Sequence, residues 1–140
     1  DYNLDIIIFR YFNVFGERSP IKGQYAPVIG IFLNQKNTNR KLTVVGDGTQ
    51  RRDFVHVSDV AKVNILGMNS PNSFKSDIFN IGSGENYSIN EITKFIGGDS
   101  INIAKRPGEA KNTLSDITKV KTILGFNPSI DLKKWIITKK

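Results

Sequence analysis

Two arginines in short polar motifs are the residues best suited to gripping an anion: Arg52 in Arg51-Arg52-Asp53-Phe54 and Arg106 in Arg106-Pro107-Gly108. A guanidinium presents its donors in a planar fork that matches phosphate oxygens, and each charge-assisted contact contributes roughly 1.5–3 kcal/mol when partly buried. On residue type alone, the commoner meaning of such a pair is two solvated surface arginines. Glu109 lies three residues after Arg106, and its two acceptor oxygens suit a pair of neighbouring hydroxyls. A salt bridge to a nearby lysine is the plain alternative. Asn13 follows an apolar strand-like run, at the kind of strand end where open α/β sheets bind ligands, and its amide can donate to phosphate or hydroxyl oxygens. Its bland reading is a turn residue. Asp53 and Asp59 are set aside as catalytic carboxylates. Asp53 follows an arginine that it can orient, or caps a turn; Asp59 opens a helix, where negative charge is favourable in any case. His56, alternating with Val55 and Val57, reads as structural.

The elements that must position these residues alternate between strand and helix patterns, which makes the chain α/β. Leu4 to Arg10 is a nearly continuous apolar run and predicts a strand buried on both faces. A loop from Gly16 to Tyr25 precedes a helix over Ala26 to Lys36, with Pro27 in its first turn. Leu42 to Val45 predicts a short strand, Gly46-Asp47-Gly48 a turn, and Asp53 to Val57 a second strand. Ser58 is the expected N-cap of a helix reaching Met68. Ile78 to Ile81 predicts a buried strand. Ser88 with Glu91 forms a capping box for a helix that ends at Gly97-Gly98. Ile101 to Ala104 predicts another strand, Asp116 opens a short helix ending at Gly125, and Leu132 to Lys140 predicts the last helix.

Length and composition narrow the function classes. The 140 residues amount to one domain, and the hydrophobic share of 39% suffices for a core. There is no cysteine and a single histidine, which excludes disulfides and thiolate or His-rich metal sites. No apolar run approaches the roughly 20 residues needed to cross a bilayer, and no signal peptide is evident, so a cytoplasmic protein without membrane partners is the default expectation. The net charge of +7 favours polyanionic or phosphorylated partners, or else a lysine-rich solvated surface. The lysines are scattered rather than interleaved with aromatics on one element, which argues against nucleic acid.

Several motifs then fall in one order. Arg10-Tyr11-Phe12-Asn13-Val14-Phe15-Gly16 follows the first strand. Gly46-Asp47-Gly48-Thr49-Gln50-Arg51-Arg52-Asp53-Phe54-Val55-His56-Val57-Ser58-Asp59-Val60 comes about thirty residues later. Phe79-Asn80-Ile81-Gly82-Ser83-Gly84, Arg106-Pro107-Gly108-Glu109, Leu114-Ser115-Asp116 and Leu124-Gly125-Phe126-Asn127-Pro128 complete the series. Order and spacing resemble the nucleotide-sugar epimerase/dehydratase family of extended short-chain dehydrogenases, over nearly the whole chain. The resemblance implies the C-terminal substrate-binding portion of an extended short-chain dehydrogenase/reductase, with one or two strands belonging to a Rossmann sheet whose N-terminal part is missing. Residues 1–140 would then be one sugar-nucleotide-binding portion, without the N-terminal dinucleotide-binding domain. The family's glycine-rich dinucleotide fingerprint is not found among the twelve glycines, and none of Tyr2, Tyr11, Tyr25 and Tyr87 has lysine four places on, as the family's Tyr-x-x-x-Lys dyad requires.

By the same resemblance, Arg52 and Arg106 reach the diphosphate of a nucleoside-diphosphate sugar, Asn13 its phosphate or sugar, and Glu109 the ribose hydroxyls. Tyr25, with Ala26, Pro27 and Val28, contacts the base, to which Gln50 adds a base or ribose contact. Tyr11 and Phe12 stand beside the nicotinamide of an NAD held mainly by the missing half. The wording from Gly23 to Ile29 is nearer to UDP-glucose and UDP-N-acetylglucosamine 4-epimerases than to dTDP-glucose dehydratases. The implied function is the substrate-binding half of an NAD-dependent sugar-nucleotide epimerase, inactive by itself, in a setting such as polysaccharide biosynthesis. A 4,6-dehydratase or decarboxylase of the same family and a non-catalytic sugar-nucleotide-binding module are the alternatives. An uncovered first strand would favour a homo-oligomer or domain-swapped dimer.

Overall fold

Strand β4 (Arg51–His56) organises the molecule, because its alternating side chains divide two hydrophobic clusters. Phe54 joins one cluster and Val55 the other, as the two-residue period of a strand dictates. The computed structural model describes residues 4–23, 26–105 and 107–139. In chain order these form β1 (Ile7–Tyr11), β2 (Asn13–Phe15), α1 (Val28–Asn37), β3 (Leu42–Val45), β4, α2 (Val57–Met68), β5 (Asp77–Ile81), β6 (Asn86–Ser88), α3 (Ile89–Ile96), β7 (Ser100–Ile103), α4 (Thr118–Leu124) and α5 (Leu132–Ile137).

The strands make three small sheets. β1 pairs in parallel with β5, β3 pairs in parallel with β7, and β4 lies between a parallel β2 and an antiparallel β6. The first cluster packs Phe15, Phe32, Leu42, Val44 and Phe54 against α3 and α5; the second packs Val55, Phe79 and Ile81 against Val63 of α2 and Val120 of α4. The expectation of an α/β fold therefore holds, as a mixed α/β assembly with small parallel sheets.

Several boundaries and burials differ from the expectations. β1 and β5 are not buried on both faces. Ile7 and Phe9 pack against the second cluster, whereas Ile8 and Ile78 are 39% and 43% exposed on the other side. Among the described residues each of these strands pairs only with the other, so the pair has open outer edges in addition to the uncovered face that carries Ile8 and Ile78. Short strands β2 and β6, absent from the sequence reading, have three residues each, too few to show a period. Pro27 is the N-cap of α1 rather than a residue of its first turn. The N-cap of α2 is His56, not Ser58: the His56 Nδ1 accepts from the Ser58 backbone N–H at 3.1 Å, so a ring nitrogen does what the serine hydroxyl was expected to do. α4 starts at Thr118, with Asp116 accepting from the Thr118 N–H. α5 ends at Ile137, short of the expected Lys140, which lies outside the described residues.

The capping box on α3 is present as expected. Ser88 Oγ accepts from the Glu91 N–H, and Glu91 accepts in turn from the Ser88 N–H. The Gly46-Asp47-Gly48 turn needs its second glycine: Gly48 has φ +74°, and a Cβ there would meet Asn90 Oδ1 at 2.0 Å.

Candidate functional site

A cavity of about 380 Å³ opens between α1, β3 and β4. Asn13, Gln50, Arg52 and Glu109 all line it, together with Ala26, Pro27, Val28 and apolar residues including Ile31, Val45 and Ile103. Four of the six expected substrate-binding residues thus converge on one space, within the size range of small-ligand sites. Tyr25 and Arg106, the other two, lie outside the described residues.

β4 aims Arg52 into this space because Arg52 shares the strand face of Phe54, on the side of the first cluster. Its side chain is only 12% exposed. Nη1 donates to the Arg51 carbonyl at 2.8 Å, and Nη2 donates to Glu109 Oε1 at 3.1 Å. The partner of Glu109 is thus the cavity arginine, rather than a neighbouring lysine. Asn13 begins β2 opposite Phe54, and its Nδ2 donates to the Asp53 carbonyl at 2.7 Å, which fixes the amide at the cavity wall. The Gln50 side chain donates to the Val45 carbonyl at 2.8 Å and so braces the turn between β3 and β4.

The opposite face of β4 carries Asp53, which is fully buried. It does not orient Arg52. Oδ1 accepts from Ser83 N–H at 2.7 Å and Ser83 Oγ at 2.9 Å; Oδ2 accepts from Gly84 N–H at 3.1 Å, Ser115 N–H at 3.0 Å and Ser115 Oγ. Alternation sets this: a residue next to Arg52 on a strand points away from it. The clasp ties β4 to the β5–β6 turn and to the segment after Glu109, which also pairs with Arg51 through the Lys111 carbonyl and the Thr113 N–H. Asp59 is likewise more than a helix-dipole residue. It is buried and accepts from Ser129 N–H, Ser129 Oγ and Ile130 N–H, tethering the approach to α5. His56 packs edge-on against Phe15 with ring centres 5.1 Å apart, in keeping with a structural role.

Tyr11 and Phe12 stand apart from the cavity lining. The Tyr11 hydroxyl exchanges hydrogen bonds with the Asn64 amide at 2.9 and 3.1 Å, and the Phe12 N–H donates to the Ile81 carbonyl. Thr43, Val45, Ile31 and Ile103 line the cavity beyond the residues expected from the sequence. A signal for two of them was available: Leu42 and Val44 are the buried positions of β3, which leaves Thr43 and Val45 for the other face. Among the described residues, no group of three or more His, Asp or Glu could hold a metal ion, and no helix is long and apolar enough to cross a membrane.

Small parallel sheets with helices packed on them, and a mixed polar and apolar cavity beside the strand of an arginine, define a mixed α/β unit with a candidate ligand cavity. Residues 1–82 match the NAD dependent epimerase/dehydratase family, and the chain belongs to it. It is 41% identical, over 96% of its length, to a Methanocaldococcus jannaschii protein that carries a provisional UDP-glucose 4-epimerase name, of which it covers 44%. Its structure superposes on a Thermotoga maritima UDP-glucose 4-epimerase with UDP-glucose (TM-score 0.90, 30% identity, 99% of this chain and 46% of that one). It also superposes on a UDP-N-acetylglucosamine 4-epimerase from Methanobrevibacter ruminantium in complex with UDP-N-acetylmuramic acid (TM-score 0.89, 32% identity, 99% and 46%). The chain spans less than half the length of these relatives.

Proposed function

We propose that this chain is the substrate-holding portion of an NAD-dependent nucleoside-diphosphate-sugar epimerase of the UDP-glucose or UDP-N-acetylglucosamine 4-epimerase type. The observation that carries this reading is the convergence of Asn13, Gln50, Arg52 and Glu109 on one cavity whose remaining wall is largely apolar. Arg52 and Asn13 take the diphosphate, with Arg106 as the second guanidinium. Glu109 takes the ribose hydroxyls, and Val28, Ile31, Val45 and Ile103 supply a wall for the base. Binding at the nucleotide end leaves the hexose free to turn, which an epimerase needs and which concentrates affinity away from the reacting carbon. NAD, when bound, accepts and returns a hydride. The 140 residues contain neither the Tyr-x-x-x-Lys dyad nor a dinucleotide fingerprint, so on this reading groups outside them supply the cofactor site and the proton transfer. β1 and β5 belong to the Rossmann sheet of that larger assembly, and their open face takes the rest of the enzyme or, in the isolated chain, a second copy.

The absence of the dyad from these residues also favours a second reading, a sugar-nucleotide-binding module without catalysis. Calorimetric titration with UDP-N-acetylglucosamine, UDP-galactose and dTDP-glucose tests the site that both readings share. The expected result is a preference for UDP, lost in Arg52→Ala and in Arg106→Ala. Affinity that survives Arg52→Ala unchanged would remove the site from this cavity. The pair of readings separates on NAD-dependent turnover by the longest natural form of the protein.

A further inference from the structure

Glu109 enters the cavity from a segment that β4 grips only two residues further on, at Lys111. The Arg51 N–H donates to the Lys111 carbonyl at 2.9 Å, and the Thr113 N–H donates to the Arg51 carbonyl at 3.1 Å, a bridge that sets Asn112 alongside Arg51. Arg51 also pairs with Ser88 of β6, so β4 has this segment on one edge and β6 on the other. Asn86 of β6 stands opposite Asp53, on the strand face turned away from Arg52. From there its side-chain amide joins the two edges. Nδ2 donates to Asn112 Oδ1 at 2.7 Å and to the Thr113 carbonyl at 3.1 Å, while Oδ1 accepts from Arg51 Nε at 2.8 Å. Arg51 in turn donates through Nη2 to the Asn86 carbonyl at 2.7 Å and through Nη1 to Glu91 at 2.9 Å. These partners fix which way the amide faces: a guanidinium N–H only donates and a backbone carbonyl only accepts.

We propose that Asn86 is a positioning residue: it clamps the segment at Asn112 and Thr113 and so holds Glu109 in place at the cavity. The inference rests on the proposed function and adds to it a residue outside the cavity that sets the cavity's geometry. Two backbone hydrogen bonds to one residue of β4 make a short bridge. The amide adds two more on the same stretch of chain, from the opposite edge of the strand, and restricts how the segment can turn. With that stretch fixed, Glu109 keeps its place beside Arg52 before any ligand arrives. Binding then avoids the entropy cost of ordering the segment, and affinity rises accordingly.

Asn86→Asp is the sharpest variant. It keeps the size of the side chain and still accepts from Arg51 Nε, but sets an oxygen against the Thr113 carbonyl, which cannot donate. Asn112→Ala, at an exposed position, removes one of the two contacts with little risk to folding. Circular dichroism verifies that each chain is folded. In calorimetric titration with UDP, Asn86→Asp should bind roughly tenfold more weakly than wild type and Asn112→Ala roughly threefold. The same substitutions are then made together with Glu109→Ala, where each should weaken binding by less than about twofold, because the side chain being positioned is gone. A general loosening of the fold, or repulsion between the new carboxylate and phosphate, would persist in that background. UDP binding by Asn86→Asp and Asn112→Ala that matches wild type, or a loss undiminished beside Glu109→Ala, would overturn the positioning role and leave the proposed function standing. Should Asn86→Asp not fold, Asn112→Ala carries the same comparison. Failure of folded wild type to bind UDP would overturn the proposed function, and this inference with it.

Discussion

Arg52 and Asp53 are neighbours on β4, yet one lines a cavity and the other is sealed in the core. Asp53 has five donors on its two oxygens, all from chain segments that it holds together. Arg52 has one backbone carbonyl and one carboxylate, and that carboxylate lines the same cavity. The difference separates two uses of a buried charge. A group whose hydrogen bonds all end on the surrounding fold is part of the scaffold. A group whose charge is balanced only by another cavity residue is available to a ligand. By that criterion Asp53 belongs to the scaffold and Arg52 is the candidate for binding.

Four substitutions test this contrast. The largest effect on stability should come from Asp53→Ala, which removes the acceptor of the part-buried Ser83 and Gly84 N–H groups and strands the buried Ser115 N–H. Urea denaturation should show a loss of about 3 kcal/mol or more. A loss below about 1 kcal/mol would mean that water replaces the clasp, and the contrast would fail. Arg52→Ala should do the reverse. Its stability should change by less than about 1 kcal/mol, while its affinity for UDP falls by roughly 10- to 100-fold, the weight of one charge-assisted contact. Equal damage from both substitutions would erase the distinction between the two faces.

Smaller effects gauge the scaffold away from β4. Ser88→Ala removes the capping box of α3 and should cost about 1 kcal/mol in the same denaturation experiment, with UDP affinity unaltered. The smallest concerns Glu17. A hydrogen bond from Lys139, then its own backbone and Trp135, hold its carboxyl at about 2 against an ordinary 4.5. The unfolded chain takes up this proton near pH 4.5 and the folded chain only near pH 2. The contribution is therefore complete above pH 4.5 and is lost as the pH falls towards 2. Lys139→Ala should flatten the acid limb of the stability curve by slightly lowering stability above pH 4.5 while leaving it unchanged near pH 2, a small effect because the group is exposed.

Much of the fold was legible because its signals are local. The Ser88–Glu91 capping box, the Gly125 stop of α4 and the apolar run of β3 each depend on residues within a few positions of one another. The candidate site was legible in part because motif order pointed to Asn13, Arg52 and Glu109, and alternation along β4 could have turned Asp53 away from Arg52. The errors share a cause. The open faces of β1 and β5 were read as buried because an apolar run records what a strand is suited to, whereas burial requires a covering layer. His56 displaced Ser58 as the cap of α2 because the end of β4 brought a ring nitrogen within reach of the Ser58 N–H.

The sequence by itself determined the family, the α/β alternation and the identity of the candidate site residues, because propensities, caps and motif order are properties of neighbouring residues. Only the tertiary structure decided that Arg52 meets Glu109 across 57 positions and that Ser83 and Ser115 close on Asp53. Pairings between distant residues follow from how helices and sheets pack, and side-chain type constrains that packing without specifying which partners it brings together.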